Sequence, residues 1–156
     1  MTPRMRDPEQ EQEQVYCDQT DIERRIGEAD LTALADYDGD GDADAAVVEQ
    51  AIRSAGALID SYLGVRFAVP VSLPDGTCPA ALAMRAVNLA VYFLRLGRDS
   101  VTEDVRAQYE DDVAWLRAIV AGAVSLGVEP TPAEGPRAPA ARHEAQPRLF
   151  GRREPL

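Results

Sequence analysis

The chain of 156 residues contains no lysine, one histidine, two cysteines and no long apolar run. Each shortage removes a class of function. Without lysine there is neither a Schiff-base amine nor a P-loop lysine, and no glycine-rich phosphate loop, C-x-x-C pair or G-x-S-x-G turn occurs. The lone His143 lies in a proline-rich stretch, so a histidine-based triad or metal cluster would have no scaffold beneath it. Enzymatic catalysis is not expected. Cys17 and Cys78 allow at most one bridge, and no hydrophobic leader precedes them, so reduced thiols in a cytoplasm are expected. The most apolar run, Ala86 to Leu94, is far shorter than the roughly 20 residues that span a bilayer, and Arg85 and Arg95 bracket it. It reads as a core helix.

Positive charge is scarce too. Sixteen arginines stand against 27 acidic residues, a formal charge of −11, which argues against a surface that grips phosphates or an anionic membrane. The length fits one domain with tails.

Apolar periodicity places that domain between Val15 and Gly127. Asp18 or Thr20 can cap a short helix that ends at Gly27, and Ile22, Ile26, Leu31 and Leu34 make one stripe over two short helical pieces. Asp44 stands where an N-cap belongs, ahead of Val48, Ile52, Ala55, Ile59, Tyr62 and Leu63, with Gly64 as the stop. Pro70, Pro74 and Pro79 forbid a helix over Val65 to Cys78, which should cross the molecule extended, with a turn at Pro74-Asp75-Gly76 and room for two very short strands. Pro79 suits the first turn of a helix to Leu96 bearing Leu82, Ala86, Leu89, Ala90, Phe93 and Leu94. Thr102 caps a last helix bearing Val105, Tyr109, Val113, Leu116, Ile119 and Val120. The acidic cluster Glu110, Asp111 and Asp112 on that helix is expected to stay solvated, and Trp115 and Tyr109 to serve in core or interface. The predicted fold is all-α, a small bundle of three main helices with a short N-terminal helical entry. Residues 1–14 form a polar extension and 128–156 a tail with six of the eleven prolines, both expected to be disordered.

Between entry and bundle lies "ADYDGDGDADAAVVEQ", with Asp36, Asp38, Asp40, Asp42 and Asp44 at alternate positions. Alternating carboxylates with glycine at the bend are what a calcium loop requires. Counted from Asp36, the loop supplies positions one, three and five, Gly41 at six, the Asp42 carbonyl at seven and Asp44 at nine, but Val47 stands at twelve, where a bidentate glutamate belongs. Counted from Asp38, Glu49 reaches twelve but Ala43 replaces the glycine. Neither register is complete. The pattern therefore leaves two readings open: a non-standard calcium site that fixes the loop, or an acidic turn. With no second loop of this kind, an ion here would be structural rather than signalling.

The ordered set "VYCDQTDIERRIG", "LADYDGDGDADAAVVEQAI", "IDSYLGVRFAVPV" and "RAQYEDDVAWLRAIVAGAVSLG", closed by the Arg/Phe-containing "RLFGRREPL", resembles the phage Mu-type family of small head-tail connector proteins of tailed phages and prophages. That resemblance implies a structural neck protein, assembled in the host cytoplasm into a ring of twelve copies under the portal. The ring would continue the DNA channel to the next neck or tail component, without sequence-specific DNA binding. It also implies that Arg148, Leu149, Phe150, Arg152 and Arg153 dock on the portal. The long proline-rich stretch between Gly127 and Arg148 departs from the family pattern. The competing expectation is a calcium-binding regulatory or adaptor protein of a cell, with the aspartate loop as its working part.

Overall fold

The computed structural model describes residues 16–131. Among them are five α-helices and no strand: α1 (Gln19–Ile26), α2 (Glu28–Ala35), α3 (Ala45–Leu63), α4 (Ala80–Gly97) and α5 (Glu103–Val120). The all-α expectation holds, with α1 and α2 as the entry and α3, α4 and α5 as the bundle. The N-terminal extension, most of the tail and the five predicted docking residues lie outside the described residues.

Local chemistry sets the boundaries. Asp18 rather than Thr20 caps α1, accepting from the Asp21 N–H at 2.9 Å while Asp21 returns the bond to the Asp18 N–H at 3.2 Å, a reciprocal capping box. Gly27, at φ 88°, bends the chain directly into α2. The Thr102 hydroxyl accepts from the Val105 N–H and opens α5. Pro79 sits just outside α4, and Gly97 is the last residue of that helix rather than the residue beyond it. The Val65 to Cys78 crossing pairs with no other segment as a strand. It is closed on itself by Leu73 N–H to Thr77 O and Gly76 N–H to Leu73 O, both 2.8 Å, around the predicted turn.

The core lies where α3, α4 and α5 meet. Ile59, Leu63, Leu82, Leu89, Leu116 and Ile119 are fully buried there, with Ile22 and Leu31 reaching in from the entry. Removing each such side chain from water contributes about 1.5–3 kcal/mol, enough to outweigh weak local propensities. By length and composition α4 could cross a membrane. Here it lies against all four other helices and sends seven side chains into the core. The Cys17 thiol is buried and free, pushed up to about 12 by burial first and by the nearby Asp21 and Asp18 second. It is a protonated packing group at neutral pH.

Candidate functional site

The aspartate loop projects between α2 and α3 with most of its side chains exposed. Its backbone is folded onto its own carboxylates. Gly39 N–H donates to Asp36 Oδ1 at 2.6 Å, Gly41 N–H to Asp36 Oδ2 at 3.1 Å, Asp40 N–H to Asp38 Oδ1 at 3.1 Å and Asp42 N–H to Asp40 Oδ1 at 2.9 Å. Such a tight coil needs residues at positive φ, and Gly39 and Gly41 adopt 80° and 94°. The alternation of Asp and Gly thus has a local cause, since aspartate supplies the acceptor and glycine the bend.

This coil brings one carboxylate oxygen each of Asp36, Asp38 and Asp40 within 4.8 Å of one another. Three converging carboxylates are hard donors of the kind calcium takes, but fewer than its six to eight oxygens. Two of the three remaining predicted ligands are engaged elsewhere. Asp44 occupies the N-cap position of α3 without capping it, because its Oδ2 accepts from the Tyr37 N–H at 2.9 Å and closes the loop neck. Glu49 forms an exposed ion pair with Arg53, 3.8 Å away on the next turn. Val47, at the position a bidentate glutamate would take, packs against the core. The Asp42 side chain is exposed.

The loop is tied to the bundle by Arg98. Its guanidinium donates to the Leu34 carbonyl at 3.1 Å and to the Asp36 carbonyl, and lies 4.0 Å above the Tyr37 ring. It satisfies carbonyls left over at the end of α2 and fixes the loop against the end of α4. Arg66 does the same for α5, donating to the Ile119 and Val120 carbonyls at 3.1 and 3.2 Å.

One carboxylate departs from its sequence expectation. Asp112, read as a solvated surface acid, is fully buried and bonded to Arg85 of α4, with Gln108 donating to it at 3.1 Å and the Arg85 guanidinium 4.3 Å over Trp115. Its second oxygen and the Arg85 Nε are both buried without a partner. Burial pushes the Asp112 carboxyl above its usual range, against the opposing pull of Arg85, Asn88 and Gln108. A signal for the pair was available. Asp112 stands three residues after Tyr109 and four before Leu116, and Arg85 three after Leu82 and four before Leu89, so opposite charges occupy the apolar stripes of two helices. The Tyr16 hydroxyl makes a similar long-range tie, donating to Asp60 and accepting from the Val71 N–H at 2.9 Å.

Fold and site together describe a small helical protein with an acidic loop and an acidic body. Residues 16–145 match the family described as Bacteriophage Mu, Gp36. The chain is also similar to the Mu-like prophage FluMu protein gp36 of Haemophilus influenzae (strain ATCC 51907 / DSM 11121 / KW20 / Rd), 39% identical over 85 residues, which cover 54% of this chain and 56% of that protein. It is similar to gene product J of Escherichia phage Mu as well, 33% identical over 116 residues, 74% of this chain and 78% of the phage protein. The chain belongs to the Bacteriophage Mu Gp36 family. The match to the Haemophilus protein spans little more than half of that relative's length.

Proposed function

We propose that the protein is a structural head-tail connector of a Mu-like phage or prophage particle, forming a ring beneath the portal and continuing the DNA channel towards the tail. The observation that carries this reading is the family match from 16 to 145, which takes in the whole helical body and the aspartate loop. Charge supports it. Residues 16–131 hold nine arginines against twenty acidic side chains, and a wall of like charge keeps a moving duplex from adhering. Arg148, Leu149, Phe150, Arg152 and Arg153 are proposed to dock on the portal, where weak contacts repeated around a ring sum through multivalency. The test is a native mass spectrum of the full chain mixed with the portal protein of its own gene cluster. Many copies on each portal assembly are expected; two proteins flying separately at all ratios would overturn the connector reading.

A second reading concerns the loop. The 4.8 Å convergence of Asp36, Asp38 and Asp40 favours a calcium ion that stiffens the turn, completed by water and backbone oxygens, with Asp42, Asp44 and Glu49 outside the three-carboxylate group. In the same spectra one added calcium mass per copy, lost in Asp38→Ala with Asp40→Ala, is expected. If chelation abolished partner binding altogether, the regulatory-protein alternative would replace the connector.

A further inference from the structure

A cavity of about 290 Å3 opens where the end of α1, the second half of α4 and the first turns of α5 converge. Its polar lining is Arg25, Asn88, Arg95, Asp104 and Gln108, set among aliphatic side chains. The donors in that lining are not equal. The Asn88 carbonyl accepts from Arg25 Nε at 3.2 Å and the Gln108 amide donates to Asp112 at 3.1 Å, so both amides are already engaged within the protein. Arg95 is engaged with nothing. Among the described residues its guanidinium forms no hydrogen bond or ion pair, and its Nε is buried without a partner. Arg25 uses only its Nε, so its other N–H groups are also unbonded there. A buried donor left unbonded costs more than a typical hydrogen bond contributes.

The helix dipole does not account for Arg95. It lies in the last turn of α4, where a cation is favoured, yet its side chain bonds none of the last carbonyls, whereas Arg98 and Arg66 reach the ends of α2 and α5 directly. Nor does Asp104, the single acid of the lining, pair with either arginine. Two guanidinium groups against one carboxylate leave the cavity with one surplus positive charge, in a body that is otherwise strongly acidic. That balance selects the ligand. A monoanion neutralises the surplus, while a dianion such as phosphate would set excess negative charge against Asp104. The planar fork of arginine matches a carboxylate, and aliphatic walls strengthen the pairing by keeping water back.

We infer that the cavity between Arg25 and Arg95 is a binding site for a single carboxylate, with Arg95 as the principal donor and Arg25 as the second. Two sources offer that group: a small organic acid in solution, and an Asp or Glu side chain of a second copy of this chain. In the second case the cavity would lie in a contact between copies, which rests on the ring reading; the site itself does not.

The test is the proton–nitrogen spectrum of the arginine Nε–H groups of the full chain, titrated with sodium acetate against sodium chloride at equal ionic strength. Arg95→Gln assigns the Arg95 signal by removing it. Acetate should shift that signal along a saturable curve, and the Arg25 signal with it, while Arg53, paired with Glu49 on the surface, moves little. Arg25→Gln, at an exposed position, should weaken acetate binding several-fold and stays informative if Arg95→Gln does not fold. Asp104→Asn should tighten acetate several-fold and admit inorganic phosphate, which the wild type should bind more weakly than acetate. Concentration separates the sources. An Arg95 signal that moves with protein concentration, together with a dimer mass that acetate dissolves, would assign the occupant to a second copy; saturation by acetate at every protein concentration would assign it to a small acid. A saturable shift in a chain that never assembles with its portal would keep the site and remove the ring. An Arg95 signal that responds to neither acetate nor protein concentration, or wild type that prefers phosphate, would overturn the inference.

Discussion

Asp36 and Asp112 are the same residue type in opposite surroundings. Asp36, at the loop neck, accepts backbone N–H bonds on both oxygens, while Asp112 is fully buried and depends on side chains, Arg85 and Gln108 above all, with Asn88 nearby. Asp36, Asp38, Asp40 and Asp44 accept from main chain a few residues away, so the shape of the turn is set locally. The core carboxylate meets its arginine only after α4 and α5 have come together, and one of its oxygens is still without a partner. A local code and a tertiary code thus operate within one chain, and only the local one is written contiguously in the sequence.

Breaking the tertiary side most severely means burying a carboxylate with no arginine at all. Ile59→Asp, at a fully buried position, should cost about 4 kcal/mol or more and lower the melting temperature by over about 15 °C. An unchanged melting temperature would show that α3 does not present Ile59 to the core. Asp112→Ala should come next, at about 2–3 kcal/mol, below the usual loss for a broken buried pair because the Arg85 side chain keeps 20% exposure. Replacing both partners, Arg85→Met with Asp112→Leu, should recover most of that loss in a denaturant double-mutant cycle. If the double variant were as unstable as the single one, the pair would be more than a mutual neutraliser.

On the local side, effects shrink. Asp36→Ala should cost about 1 kcal/mol through two lost acceptors, measured by chemical denaturation without calcium. The smallest expected effect is a pH slope. Burial pushes the Asp60 carboxyl up, more than the Tyr16 hydroxyl bond lowers it. Below about pH 3.9 the group is protonated in both folded and unfolded chains, and above the raised value it is ionised in both. Between the two, the folded state binds more protons, so this group's contribution to stability declines as pH rises. Asp60→Asn should flatten melting temperature over that window, changing stability by less than about 1 kcal/mol. A slope identical to wild type would mean that the decline originates at Asp112, whose carboxyl is raised in the same direction.

This division also explains what could be read in advance. Helix positions followed from apolar spacing, and the convergence of Asp36, Asp38 and Asp40 from their alternation with glycine, because both are properties of consecutive residues. Asp44 defied its cap assignment because the Tyr37 N–H competes for the same oxygen, an outcome that depends on how the loop closes. The ties from Arg98, Arg66 and Tyr16 join residues 44 to 64 positions apart, and no local pattern encodes such separations. Asp112 was recoverable in principle, since a charge on an apolar stripe calls for a partner, and Arg85 carried the matching anomaly.

Arg98 has a bearing on motion. By binding the Leu34 and Asp36 carbonyls from the end of α4, it makes the loop neck and the last α4 turn share the same bonds. Neither can fray without releasing the other, so the two should open as one cooperative unit with a common opening free energy. An event at the acidic tip, whether a bound ion or a neighbouring molecule, would then be felt as a change in breathing at the last turn of α4.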